Sequence, residues 1–316
     1  MAKQTQAAFY NEFGGVDKIQ VGPLDLPEVG EGEVLLRVKA AGINPVDYLI
    51  REGYLNGMIP AAFPVVPGWD AAGIVEQVGA GVSRLAVGDE VYGYLRRPSV
   101  QHGTFAEHLV VPEGYLAARP KNLKWEEAGG IPLAGLTAHQ ALFSAGHLQA
   151  GQTVLILGAS GGVGSFAIQL AKHKGATVVA VASAKNAAFM KELGADFTVD
   201  YAQGNVAEAV RALVPAGVDL IFDCIDGETL PQALPALKPA GKLVSILNNG
   251  KDLDPKINFE YVFVSPNVPQ LDHLREIAEA GHLRVPIAAT FSLAEARKAF
   301  EQIETHHTTG KVVIVM

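Results

Sequence analysis

The chain is 316 residues long, 49% hydrophobic and 18% charged, with a formal net charge of −8. This length suits two domains that each bury a core, and the negative balance, without a long Lys/Arg cluster, argues against nucleic acid as a partner. The single cysteine, Cys224, excludes an intrachain disulfide framework and a cysteine-rich zinc site.

At its start, MAKQTQAAFY has no basic segment leading into an apolar run, and no later stretch is apolar for a membrane-spanning length. A soluble cytoplasmic protein with no membrane partner is therefore expected. Residues 1 to 120 read as short strands between glycine-rich turns, among them 33–43 (EVLLRVKAAGI), 71–81 (AAGIVEQVGAG) and 89–94 (DEVYGY). No strong helical period occurs there, which predicts a compact, mostly β, partly open barrel. Residues 121–148 bring the first plausible helices and mark a crossing between domains.

From Gln152 the texture changes. TVLILG is a near-continuous apolar strand, and GGVGSFAIQLAKHKG is a helix closed by glycine. Strands 176–182 (ATVVAVA), 197–201 (FTVDY), 218–224 (VDLIFDC) and 242–247 (KLVSIL) follow, alternating with the helices NAAFMKELGA, VAEAVRALV and LPQALPAL. Strands apolar throughout, alternating with helices, predict a parallel sheet covered on both faces. The C-terminal part holds two helical stretches, LDHLREIAEAGHL and LAEARKAFEQIETH, and the last strand KVVIVM.

The turn after TVLIL fits two motifs at once. Gly158-Ala159-Ser160-Gly161-Gly162 is a G-x-S-x-G, the turn that holds a nucleophilic serine in many hydrolases. Ala159, Gly161 and Gly164 occupy the positions of G-x-G-x-x-G, the dinucleotide turn, with alanine in the first place. A nucleophilic Ser160 needs an acid and a histidine downstream, for which Asp223 and His306 or His307 could be nominated. That motif, however, follows several earlier strands of its sheet, and this turn follows the first strand of the α/β unit. The dinucleotide reading also explains the glycines, which allow a tight turn and open a helix whose N–H groups face a diphosphate. Ala159, Ser160, Gly161, Gly162, Val163 and Gly164 are thus the expected cofactor turn. No G-K-[ST] occurs, which excludes a triphosphate loop.

An NAD site carries an acidic residue about 20 positions beyond the glycines, at the end of the second strand. Here that place reads VASAKNAAF, with Ser183 near the strand end, Lys185 beyond it, and no acid before Glu192. A hydroxyl and an ammonium would bind a 2′-phosphate that a carboxylate repels, so NADP(H) is the expected cofactor. A solvated lysine at a helix start is the alternative reading of Lys185.

Six segments carry a family likeness: AGINPVDYLIREG (41–53), FPVVPGWDAAGIVEQVGAGVSRLAVGDEVYG (63–93), GTFAEHLVVP (103–112), AGLTAHQAL (134–142), the cofactor turn, and TTGKVVIVM (308–316). In this order and spacing the chain resembles the medium-chain dehydrogenase/reductase superfamily, and within it the zinc-independent quinone oxidoreductase group. The resemblance covers essentially the whole length. It implies a GroES-like catalytic domain of residues 1–125 and 265–316, with a Rossmann NADP-binding domain, residues 126–264, inserted between them. It also implies a homodimer. Where zinc-dependent members place cysteine and histidine ligands, this chain has Asn44, Trp69 and Ala134 or its neighbours, none of which replaces a thiolate or imidazole. No metal is expected.

The resemblance further suggests roles for single residues. Asn44, in G-x-N-P-x-D, stands where the family lines its nicotinamide cleft, and its amide could orient a substrate carbonyl; a turn cap before Pro45 is the alternative. Tyr48 and Tyr54 flank the same segment, and either could cover a flat ring or donate a hydrogen bond to a developing oxyanion. Thr137 matches a residue close to the nicotinamide. Tyr201 matches a tyrosine that helps hold the 2′-phosphate, and Asn186 stands where some members put their phosphate-binding lysine. Ile246, Leu247 and Asn248 end a Rossmann strand at the cofactor edge. Lys311 matches a phosphate-side contact, although a lysine opening an edge strand needs no ligand. The reaction implied is hydride transfer from NADPH to a quinone or α,β-unsaturated carbonyl, with the proton from Tyr54, Tyr48 or water. A reductase of ordinary carbonyls or acyl-linked enones, and a non-enzymatic NADPH-binding sensor or crystallin-like protein, are the rival readings.

Overall fold

The computed structural model describes residues 3–225 and 227–316. The chain forms two compact units, one made of residues 1–133 with 265–316 and the other of 134–264.

In the second unit six parallel strands run in the order Phe197–Asp200, Thr177–Ala182, Thr153–Leu157, Val218–Asp223, Leu237–Ser245, Asn258–Tyr261. Val154, Leu155, Ile156 and Leu157 have no exposed surface, which is why this strand reads as an unbroken apolar run. Helix Gly162–His173 buries the whole of Gly164–Ala171. Strand Thr153–Leu157 is flanked by Thr177–Ala182 on one side and Val218–Asp223 on the other, so the chain winds outward in both directions from it. The turn after this strand therefore lies at the switch point of a doubly wound sheet, where ligands of such sheets bind. The expected helix at LPQALPAL is shorter than its pattern. It is helical over Thr229–Ala233 and tightens to a 3₁₀ turn at Leu234–Ala236, because Pro235 has no N–H to continue the ladder.

The first unit is built on strand Glu33–Ile43, which pairs antiparallel with Asp70–Val78, His108–Pro112 and Lys311–Val315. Its sheet runs as an open path from Ile287–Ser292 through Lys311–Val315, Glu33–Ile43, Asp70–Val78 and Glu90–Tyr94 to Leu116–Ala118. Leu36, Val38, Ile43, Val75, Phe105, Val312 and Ile314 form its core with Ala296, Ala299 and Phe300. The last three come from helix Ala296–Glu304 at the i, i+3, i+4 spacing of one helix face. Burying Phe300 alone is worth about 1.5–3 kcal/mol.

Three expectations change here. A helix, Pro45–Arg51, occupies a region that shows no helical period, since seven residues are too few to display one. Strand Lys311–Val315 is not an edge strand: Ile287–Ser292 covers its outer side. The units also change at 133/134 rather than after 125, because helix Trp125–Gly129 packs on strand Glu33–Ile43. There a Cβ on Gly129 would stand 2.8 Å from the Ala40 carbonyl oxygen, an approach only glycine permits.

Candidate functional site

The switch-point turn is shaped by close backbone contact. Gly158 has φ of 73°, in the left-handed region that glycine adopts without strain. At Gly164 a Cβ would lie 2.4 Å from the Gly158 oxygen and 2.6 Å from Ala159 Cα, so the helix rests directly on the turn. The buried Ala159 donates its N–H to the Val181 carbonyl at 3.0 Å, tying the turn to the second strand. Gly161 is the N-cap of helix Gly162–His173 and offers no side-chain cap, which leaves Gly162, Val163 and Gly164 with first-turn N–H groups for an anion.

Beyond the second strand, the Asn186 side-chain amide donates to Ser160 Oγ at 2.9 Å and to Ser183 Oγ at 3.3 Å. Both hydroxyls accept from this one amide, so their own hydrogens point elsewhere as donors. Lys185 is exposed beside them, and Tyr201, just past strand Phe197–Asp200, is 43% exposed. On the other side of the turn, Ser245 Oγ donates to the buried Asp223 carboxylate at 2.6 Å and accepts the N–H groups of Leu247 (3.1 Å) and Asn248 (2.8 Å). Ile246, Leu247 and Asn248 thus follow the strand, which ends at Ser245, and do not belong to it. Thr137 lies buried in helix Pro132–His139.

In the first unit Asn44 is the N-cap of helix Pro45–Arg51, yet its side chain caps nothing. The Asp47 carboxylate takes that task by accepting the Asn44 N–H at 2.8 Å. The Asn44 amide is turned to a buried charged pair instead: Nδ2 donates to Asp70 Oδ2 at 2.9 Å, and Oδ1 accepts from Lys311 Nζ at 2.5 Å. Lys311 Nζ also donates to the Ile43 carbonyl at 3.3 Å and lies 3.8 Å from Asp70 Oδ2. Strand register explains the meeting, because Val312 pairs with Ile43 and so sets Lys311 beside Asn44. Gly42 leaves the space, since a Cβ there would lie 2.8 Å from Asp70 Oδ2. Asn44, Asp47, Asp70 and Lys311 are all at most 3% exposed.

Burial dominates the titration of this cluster. It pushes the Asp47 carboxyl up to about 7 and that of Asp70 up to about 6, against the pull of Lys311 and of the hydrogen bonds. Burial also lowers Lys311, while Asp70 and Asp47 hold it up. Both signs are pressed toward neutrality, and their mutual attraction opposes that. Tyr48 is half-buried, its ring edge-on to His306 at 5.9 Å; burial, then Glu52 and Glu304, raises its phenol above the ordinary value. Tyr54 is 72% exposed. Helix Pro45–Arg51, which carries Asp47 and Tyr48, is anchored by Arg51, which donates to the Gly14 carbonyl, Glu304 and Glu52 at 3.0, 2.7 and 2.6 Å.

Comparison with known proteins decides the family. Residues 30–121 match the model "Alcohol dehydrogenase GroES-like domain", and residues 193–314 match "Zinc-binding dehydrogenase". An NADPH-dependent alkenal/one oxidoreductase, chloroplastic, of Arabidopsis thaliana is 36% identical over 99% of this chain and 80% of its own. The chain belongs to the medium-chain dehydrogenase/reductase superfamily. Two solved structures superpose over nearly the full length. The quinone oxidoreductase from Coxiella burnetii has a TM-score of 0.90 and 31% identity, over 99% of this chain and 100% of that one. An NAD-dependent alcohol dehydrogenase has a TM-score of 0.92 and 30% identity, over 98% and 99%.

This medium-chain family member has a GroES-like unit and a Rossmann unit, and it falls in the quinone oxidoreductase-like group. Its switch-point turn fits a nicotinamide dinucleotide through the Gly164 approach and the first-turn N–H groups. Zinc, which one matching family description names, finds no fitting donors. Asn44 already accepts from an ammonium, and Trp69 offers only an indole N–H. No group of three or more His, Cys, Asp or Glu side chains is gathered for a metal ion among the described residues.

A second placement, besides that of Ile246, Leu247 and Asn248, departs from expectation. Lys311, expected as a phosphate-side contact, has its ammonium enclosed with Asn44 and Asp70, because its strand is flanked on both sides. Sequence reasoning missed Asp70 and Ser245, and named Asp223 only as a candidate acid for a nucleophilic Ser160 and not as the partner of Ser245. Each is a polar residue that opens or closes a strand, the only signal it carries, and its partner lies at least 22 residues away in the chain.

Proposed function

We propose that this family member is an NADPH-dependent, zinc-independent reductase of quinones and α,β-unsaturated carbonyl compounds, with a homodimeric, cytoplasmic form. The observation that carries the substrate class is the Asn44 amide, bound to Lys311 and Asp70 where zinc-dependent relatives need a ligand. Without a Lewis acid to polarise an ordinary carbonyl, the substrate must already be electron-poor. The names of the Arabidopsis and Coxiella relatives agree with this.

Preference for NADPH rests on Ser160, Ser183, Lys185 and Tyr201, and on the missing carboxylate at the end of strand Thr177–Ala182. Bound NADPH supplies the hydride. The phosphate turn orients the dinucleotide, and the Ser245 clasp holds the amides of 247 and 248 in place. Asn44 donates an N–H to the substrate oxygen as negative charge develops there. Tyr54, exposed, or Tyr48, kept protonated by burial, covers the ring and supplies the proton. Exposed Tyr261 and Phe263, at and just beyond the outermost strand Asn258–Tyr261 of the parallel sheet, support pairing between two copies.

The test is turnover. Purified protein should oxidise NADPH with 1,4-benzoquinones or with alkenals and enones, and leave saturated aldehydes untouched. Reduction of saturated aldehydes alone would overturn the substrate class. Sedimentation giving a monomer at micromolar concentration would remove the homodimer.

A further inference from the structure

A buried lysine beside two buried carboxylates is costly, since each ion must be stripped of water. The cluster of Asp47, Asp70 and Lys311 surrounds one neutral group, the Asn44 amide. Asp70 in its ionised form can only accept hydrogen bonds, and a lysine ammonium can only donate them. The amide therefore has one permitted orientation, with Nδ2 at Asp70 (2.9 Å) and Oδ1 at Lys311 (2.5 Å). Turned over, it would set acceptor against acceptor and donor against donor. A cation on the amide oxygen also draws electron density from the nitrogen and strengthens the remaining Nδ2–H as a donor. Asp70 is itself held from its other side, where Oδ1 accepts the Leu133 N–H at 2.6 Å.

We infer that Lys311 and Asp70 are positioning residues that fix and polarise the Asn44 amide so that it meets the substrate oxygen with an N–H and not with its carbonyl. This rests on the role given to Asn44 under the proposed function. It takes Lys311 out of phosphate binding.

The test is the double variant Asp70→Asn/Lys311→Met, which removes one charge of each sign and keeps the net charge of the cluster. The Leu133 N–H still claims residue 70 Oδ1, so the new carboxamide nitrogen faces Asn44 and favours the turned-over amide. Expected are a folded protein, NADPH affinity within about twofold of wild type, and kcat for quinone or enone reduction lowered about tenfold or more. The Asn44 side-chain amide resonances, assigned by their loss in Asn44→Asp, should shift in the same variant. That readout needs no turnover, so it judges the orientation even if wild-type protein reduces no quinone or enone. Should the double variant not fold, the isosteric Asp70→Asn alone sets two amide nitrogens against each other and should lower kcat about fivefold. A folded variant with unchanged kcat and unshifted resonances would overturn the inference. So would a loss of NADPH affinity with NADH affinity preserved, which would make Lys311 a phosphate contact.

Discussion

Truncating Asn44 tests the buried cluster most sharply, because its amide supplies the hydrogen bonds that its two charged neighbours do not make to each other. Asp70 Oδ2 and Lys311 Nζ are 3.8 Å apart, too far for a hydrogen bond, and Asn44 bridges them at 2.9 and 2.5 Å. Asn44→Ala leaves one acceptor and one donor, both charged and both at most 3% exposed, without that bridge. Each of the two lost hydrogen bonds is to a charged group and is worth about 1.5–3 kcal/mol, and the ion pair left behind offsets part of that, so the cost is about 3–5 kcal/mol. For a unit of this size, where each kcal/mol moves the midpoint by about 2–4 °C, Tm should fall by about 6–20 °C. The catalytic loss should be about 5- to 150-fold in kcat/KM for quinone or enone, with the NADPH dissociation constant unchanged. Asn44→Asp separates the contributions. Its carboxylate keeps Lys311 paired but repels Asp70 and cannot donate when ionised. Melting by calorimetry, cofactor titration and steady-state kinetics on the three proteins give the answer. An alanine variant that melts within about 1 °C of wild type would refute the bridge and the energetics drawn from it.

Three further outcomes follow from the same structure. Lys185→Ala should remove most of an NADPH preference of about 2–3 kcal/mol and leave NADH binding nearly unchanged; equal weakening of both cofactors would show that Lys185 does not read the phosphate. Asp47, with its carboxyl pushed up to about 7 in the fold and near 3.9 when unfolded, binds more protons native than unfolded. Its contribution is therefore full below about pH 4 and lost as pH rises through about 7, so Asp47→Asn should gain stability relative to wild type between pH 5 and pH 8; a constant difference contradicts this. Elemental analysis should find less than about 0.1 zinc per chain, and chelators should leave activity intact; near-stoichiometric zinc lost together with activity would sink the zinc-independent reading.

How far the sequence discloses this molecule differs between its halves. The Rossmann unit is legible because a parallel sheet covered on both faces forces strands such as Val154–Leu157 to be apolar at every position. Its outermost strand, Asn258–Tyr261, escapes notice because it is short and mostly exposed. In the GroES-like unit, strand Glu33–Ile43 is visible in its apolar run, but the helix Pro45–Arg51 beside it is too short to show a period. The phosphate turn is a local motif and declares itself. The Asn44 cluster does not, because Asp70 and Lys311 reach Asn44 across 26 and 267 residues of chain. Only strand register brings them together, and register is what a lone lysine at a strand start cannot reveal.

The proposed reaction moves hydride from NADPH to an electron-poor acceptor without a metal. One measurement bears on it most directly: stopped-flow absorbance of the nicotinamide on mixing the NADPH-loaded, chelator-treated protein with a 1,4-benzoquinone or a reactive enone. Rapid single-turnover oxidation of bound NADPH is expected, slowed by deuterium at the transferred position. Oxidation that is no faster than in free solution, or that appears only when zinc is restored, would contradict it.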